Sequence, residues 1–329
     1  MPTQEEQAVH LRTGAQLDHY RIEGVAARSG MASIFRGTDT RTGAAVAIKV
    51  PHPAMEEDPT LFGRFRREEE IGRDMDHPSV MKVFTDAHRS RSYMVMEWVE
   101  GRLLREVMRG PERMPVERAV RIARGICDAL EYIHGRGVVH RDLKPENVMI
   151  DADDRVKLID FGVAGKAGAP RLTFRRLADI MGTPDYISPE QVEGKRGDAR
   201  SDLYALGVIL YEMLTGETPF CGPNPFAVMH DRLVSNPVPP REIEPAVTPQ
   251  LQEIVYRAME RKPQHRYQSA SDFLHDLENP GGVEVAERAE MRDWSWRRTP
   301  LSQRVLTYAV LAMIPLIIFA LLIYVAKRA

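Results

Sequence analysis

The sequence predicts an α+β protein of two lobes, a small β-rich one followed by a larger helical one, with one membrane-spanning helix near its C-terminal end. Three observations carry that expectation. Short β-rich runs separated by turns occupy the chain up to about residue 100. Helical periodicity dominates from about residue 103. A long uncharged run lies close to the end.

In the first lobe the runs AAVAIKV and SYMVMEWV alternate with turns such as TRTGA. Between them LFGRFRREEEIGRDM sets Leu61, Phe65, Ile71 and Met75 among charges, the pattern of an exposed amphipathic helix. In the second lobe Ile122, Ile126, Leu130 and Ile133 recur at i, i+4, i+8 and i+11 within VERAVRIARGICDALEYIHG. The run LYALGVILYEML is too short to span a bilayer and contains Glu212; it reads as a buried core helix closed by Gly216.

The run from Val305 to Ala326 holds 22 residues without a charge. At about 1.5 Å per residue it reaches ~33 Å, enough for a hydrocarbon core of ~30 Å. Arg292, Arg297, Arg298 and Arg304 precede it with Trp294 and Trp296 interleaved, and only Lys327 and Arg328 follow. That bias places the preceding lobes in the cytoplasm and the tryptophans at the interface. No signal peptide is expected, because Gln4, Glu5, Glu6, His10 and Arg12 break any apolar run. The expected division is a tail over 1–17 and a bilobal domain over 18–278, with lobes at about 18–99 and 100–278. A juxtamembrane linker over 279–304, a span over 305–326 and a basic tail over 327–329 follow, so the chain reads as tail-anchored.

Composition excludes several classes. The chain has 329 residues, 43% apolar and 28% charged, which fits neither a disordered tail nor a many-span membrane protein. Its 45 basic and 47 acidic residues give a net charge of −2, with no global field for nucleic acid, and none is expected as a partner. Cys127 and Cys221 are the only cysteines, which excludes a disulfide framework or a cysteine zinc site. No GxxxxGK[ST] string occurs, so a P-loop NTPase is excluded.

The chemistry concentrates in HRDLKPENVMI, His140 to Ile150, followed by KLIDFG, Lys157 to Gly162. Asp142 can accept a proton, and Lys144 can neutralise charge two residues away. Asn147 and Asp160 offer oxygen ligands of the kind Mg²⁺ prefers. Pro145 breaks a continuous helix, so these groups sit on a loop.

These strings resemble the eukaryotic-type (Hanks-type) Ser/Thr protein kinase family, and most of all its bacterial membrane-anchored members. The resemblance covers roughly 18–278 and implies a bilobal kinase fold and transfer of the γ-phosphoryl of ATP to protein hydroxyls. It implies Asp142 as catalytic base, Lys144 beside it, and Asn147 and Asp160 as ligands of Mg²⁺, with Mn²⁺ as an alternative ion. VAIK supplies Lys49 for the α- and β-phosphates, and FRRE supplies Glu68 as its ion-pair partner. Met96 stands as gatekeeper, Glu97 and Val99 as hinge contacts to adenine, and Ala47 and Met149 on either side of the ring. Thr183 in GTPDYISPE faces Asp142 and Lys144; Glu190 pairs with Arg266; Asp202 braces the catalytic loop; His140 and Phe161 stack in a column with the helix of Glu68. Arg141 is the residue by which such enzymes grip a phosphorylated loop. Thr173, the only Ser, Thr or Tyr between Gly162 and Gly182, is the expected autophosphorylation site.

The phosphate-covering loop departs from the family. Its GxGxxGxV aligns with Ala27, Arg28, Ser29, Gly30, Met31, Ala32, Ser33 and Ile34, where all three family glycines are replaced. Of these, Ala27, Ser29, Gly30 and Ile34 are expected at the nucleotide. Four residues after Glu68 stands Gly72, where the family carries a larger side chain, which predicts a poorly braced helix that needs help from a phosphate or partner. The expected partners are protein substrates, membrane lipid and a second copy of the chain. A membrane-anchored pseudokinase or nucleotide-binding scaffold is the alternative; a small-molecule kinase is opposed by GTPDYISPE.

Overall fold

The computed structural model describes residues 11–85, 89–110, 113–160 and 185–286, and the backbone alone of Gly165–Lys166. Phe161, Thr173, Thr183 and the apolar run 305–326 lie outside the described residues. Among the described residues no helix is long and apolar enough to cross a membrane.

The first lobe is an antiparallel sheet carrying one long helix. Strands β1 (Gln16–Leu17), β2 (Tyr20–Arg28), β3 (Ala32–Asp39) and β4 (Ala45–Pro51) follow one another. After helices α1 (Pro53–Glu57) and α2 (Pro59–Arg73) come β5 (Val83–Phe84) and β6 (Met94–Glu97). The sheet order is β1-β2-β3-β4-β6-β5. It begins at Gln16, two residues before the boundary read from the sequence, because Leu17 is buried in the lobe's core with Tyr20 and Ile22. Asp58 caps α2, accepting from the amides of Thr60 at 2.7 Å and Leu61 at 3.2 Å. The helix buries Phe65, Glu68, Glu69, Ile71 and Gly72, so two charges lie on a face that the sequence pattern treats as apolar.

The reading of Gly72 as a weak point is corrected by the packing. A Cβ added there would stand 2.3 Å from Val83 Cγ2. The missing side chain is therefore a close approach filled by β5, not a gap under the helix. Gly72→Leu, which the family pattern would favour, is expected to destabilise the protein by at least ~1–3 kcal/mol through overpacking. Thermal unfolding checks this; a raised melting temperature would restore the poorly braced helix.

The second lobe is built on buried helices. It runs through β7 (Arg102–Leu103), α3 (Leu104–Met108), α4 (Val116–Gly135), β8 (Val138–Val139), β9 (Val148–Ile150) and β10 (Val156–Leu158). Helices α5 (Pro189–Val192), α6 (Ala199–Thr215), α7 (Pro225–Val234), α8 (Pro240–Ile243), α9 (Pro249–Ala258) and α10 (Ala270–Glu278) complete it. The side chains of Ile122, Ile126, Leu130 and Ile133 on α4 are fully buried, as their spacing predicts. Every residue of α6 from Ser201 to Thr215 is buried, and Gly216 ends it in the left-handed region at φ 76°. Strands β9 and β10 form a hairpin, and β7 pairs with β9. That small sheet holds the catalytic-loop strings against the first lobe.

Candidate active site

Strand pairing places half of the candidate site. Ile34 lies opposite both Ala27 and Lys49, and Lys49 opposite Met94, so these residues share one face of the sheet. Ala47 is two residues before Lys49 on the same face and lies opposite Met96. From α2, Glu68 reaches back to the strand, and its Oε1 and Oε2 accept from Lys49 Nζ at 2.7 and 2.8 Å. Asp160 Oδ1 lies 4.0 Å from the same ammonium. Burial opposes the Lys49 charge, but the carboxylates of Glu68 and Asp160 outweigh it and hold the amine protonated above its ordinary range.

The other half comes from the turn between β8 and β9, where Pro145–Asn147 form a single 3₁₀ turn instead of an open loop. Lys144 Nζ donates to Asp142 Oδ2 at 2.7 Å. Asn147 Nδ2 donates to the Asp142 carbonyl at 2.7 Å. Burial raises the Asp142 carboxyl above its usual range, against the pull of Lys144, so it is a stronger base than an exposed aspartate. Beneath the loop Asp202, from the first turn of α6, accepts from the amides of His140 at 2.9 Å and Arg141 at 2.8 Å and from His134 Nε2 at 2.8 Å. Two backbone donors are thereby satisfied inside the core, and Arg141 is held at φ 64°. The Arg141 guanidinium is directed to the carbonyl of Gly197 at 3.4 Å.

A cavity of about 300 Å³ joins the two halves. Of the residues singled out in the sequence, Ala27, Ser29, Ile34, Lys49, Glu68, Asp142, Lys144 and Asp160 line it. Gly30, Ala47, Met96, Glu97, Val99, Asn147 and Met149 do not. Met96 is buried in β6, Glu97 closes that strand, and its carboxylate pairs with Lys157 at 2.8 Å. Met149 lies on β9, two residues after Asn147. The cavity also takes in Met55, Leu61, Arg64 and Phe65. The last three stand seven, four and three residues before Glu68, so the 3.6 period of the helix is the signal that identifies them.

A second cluster was not legible in the sequence. Arg105 of α3 donates to Glu146 at 2.8 Å and to Glu212 of α6 at 2.7 Å. It also bonds Tyr186, whose hydroxyl donates to Glu212 at 2.5 Å. These partners are up to 107 residues apart, and no local pattern connects them.

The donor chemistry fits a nucleotide with a divalent ion. With Asn147 Nδ2 committed to the Asp142 carbonyl, Oδ1 is the atom of that side chain left for a hard cation. The Asp160 side chain is 46% exposed, with Lys49 Nζ at 4.0 Å. Asn147 and Asp160 would offer two protein oxygens, a donor set of the kind Mg²⁺ accepts beside water and phosphate.

The protein kinase domain family matches residues 28–277. A probable serine/threonine-protein kinase of Streptomyces coelicolor is 39% identical over 264 residues, covering 79% of this chain and 39% of that protein. The serine/threonine-protein kinase PknB of Mycobacterium leprae is 37% identical over 265 residues, covering 79% and 42%. The chain thus spans less than half the length of these relatives. The crystal structure of the Mycobacterium tuberculosis PknI kinase domain is similar at a TM-score of 0.63 and 26% identity, over 82% of this chain and 99% of that one. With the family match covering most of its length and both lobes present, the chain belongs to the protein kinase family.

Proposed function

We propose that the chain is a Ser/Thr protein kinase that transfers the γ-phosphoryl of ATP to protein hydroxyls. The observation that carries this reading is the Lys49 ammonium, held by Glu68 and close to Asp160 across one cavity from Asp142 and Lys144. Lys49 neutralises the α- and β-phosphates, and Glu68 fixes its position. Asn147 and Asp160 would hold Mg²⁺, with Mn²⁺ as the alternative, and the ion would supply positive charge against the phosphates. Asp142 takes the proton of the acceptor hydroxyl, and Lys144 stabilises charge on the oxygens in transfer. Ala27, Gly30 and Ile34 cover the phosphates. Ala47, Met149, Met96, Glu97 and Val99 enclose adenine.

Purified chain supplied with ATP, Mg²⁺ and a Ser/Thr-containing acceptor protein tests the reading. Transfer of labelled phosphate is expected, with loss in Lys49→Met. Mass spectrometry of the same reactions is expected to find Thr173 modified by a second copy of the chain. ATP binding without transfer would leave only the nucleotide-binding scaffold.

Membrane tethering belongs to the same proposal, with the lobes on the cytoplasmic side of the inner membrane. It is supported by 22 uncharged residues flanked by arginines and tryptophans. Expressed as the full chain, the protein is expected to resist carbonate extraction, while truncation at residue 300 frees an active kinase. Release by salt alone would reduce the run to a peripheral contact.

A further inference from the structure

The turn that roofs the cavity closes on itself. Between β2 and β3, Ser29 Oγ accepts from the amides of Ala32 at 3.1 Å and Met31 at 3.3 Å. It donates to the Ala32 carbonyl at 3.1 Å. One donated and two accepted bonds complete what a hydroxyl offers. The Ser29 amide donates to the same carbonyl at 2.9 Å. From the far side the His52 amide donates to the Met31 carbonyl at 2.8 Å, and the His52 ring bonds Ser33 Oγ at 2.9 Å. The turn therefore needs no glycine to hold its shape. Gly30 has no positive φ, and a Cβ there would meet nothing within 4 Å.

That closure has a chemical cost for a phosphate ligand. Glycine-rich turns hold phosphate with backbone N–H groups left open by the absence of side chains. Ser29, Met31 and Ala32 line the cavity together with Lys49, Asp142, Lys144 and Asp160. The amides of two residues that line the cavity are thus already bonded to a hydroxyl of the same turn. The hydroxyl offers phosphate nothing in exchange, because its single proton is committed to Ala32.

We propose that Ser29 competes with the nucleotide's phosphates for the Met31 and Ala32 amides, and so sets a weak grip on ATP relative to adenosine. The proposal rests on the nucleotide-binding reading of the cavity. Ser29 is a positioning residue in it, acting through the backbone of the turn. ATP binding displaces the hydroxyl from both amides, and the free energy of those two bonds is subtracted from the phosphate contacts.

Calorimetric or thermal-shift titration of the purified chain with adenosine, ADP·Mg²⁺ and ATP·Mg²⁺ tests this without relying on turnover. In Ser29→Ala and Ser29→Gly, the dissociation constant for ATP is expected to fall by about threefold to tenfold. That for adenosine is expected to stay within about twofold, since adenosine never reaches the turn. Ser29→Thr keeps the hydroxyl and is expected to keep the wild-type ratio of adenosine to ATP affinity. Parallel changes for adenosine and ATP, or an ATP affinity unchanged or weakened in Ser29→Ala, would overturn the competition. Absence of adenosine binding by the wild type would overturn the nucleotide-site reading itself, and this proposal with it.

Discussion

Asp142→Asn is expected to slow phosphotransfer by about 10²–10⁴-fold, the contribution typical of a positioned general base. The amide matches the carboxylate in shape, so the bonds around it survive. Asn147 Nδ2 still donates to the main-chain carbonyl of residue 142, and a side-chain oxygen remains for Lys144 to reach. On the proposed mechanism what disappears is the proton acceptor, a carboxyl that burial raises above its usual range in the wild type. ATP affinity and the melting temperature are expected to change little, because the residue sits at the cavity wall and not in a core cluster. Single-turnover rates at saturating ATP, measured beside nucleotide affinity, separate the two effects. A wild-type rate in Asp142→Asn would remove Asp142 from the chemistry and leave the family fold untouched.

Arg266→Ala is expected to cost about 3–5 kcal/mol of stability, the penalty for stripping one partner from a buried ion pair. The Arg266 side chain is fully buried, and Glu190 is 9% exposed. The guanidinium donates to Glu190 Oε1 at 2.8 Å and Oε2 at 2.6 Å. It also serves the carbonyls of Glu260 at 2.6 Å, Arg261 at 3.0 Å and Arg200 at 3.1 Å. Removing it leaves a carboxylate with Ser201 Oγ as its remaining side-chain donor, and three carbonyls lose a donor. Arg266→Lys is expected to fall between, since an ammonium cannot make the forked contact. Burial opposes ionisation of Glu190, but the Arg266 hydrogen bonds prevail and hold its carboxyl below the usual range. A depressed carboxyl contributes stability above its ordinary value of 4.5 and loses it as pH falls through the folded value. Urea unfolding of Glu190→Gln should therefore depend less on pH in that acidic window than the wild type does. An unchanged midpoint in Arg266→Ala at neutral pH would show that the pair carries no stability.

The two lobes were legible because periodicity reports which side of an element is covered. Ile122 through Ile133 and the run closed by Gly216 declare buried helices without reference to any partner. The catalytic loop was legible for a different reason. Asp142, Lys144 and Asn147 lie within six consecutive residues, so a single tight turn brings them together, and their chemistry can be read from spacing alone.

The glycines resisted such reading. A glycine in a sequence marks a missing side chain and does not say what takes its place. At Gly72 that is Val83, eleven residues further on and across a loop, so the apparent weakness of α2 is tight packing. At the β2–β3 turn the lost glycines do not say what bonds the Met31 and Ala32 amides, since the direction of one hydroxyl decides it.

Sequence by itself determined the lobes, the order of the chemical groups and the family, because each depends on residue types at short separations. Tertiary structure alone decided three matters. It set the pairing of Arg105 with Glu146 and Glu212, the closure of β5 onto Gly72, and the self-satisfied turn above Lys49. Close packing and hydrogen bonds act over a few ångströms in space, and the chain brings such neighbours together only after the whole domain has folded.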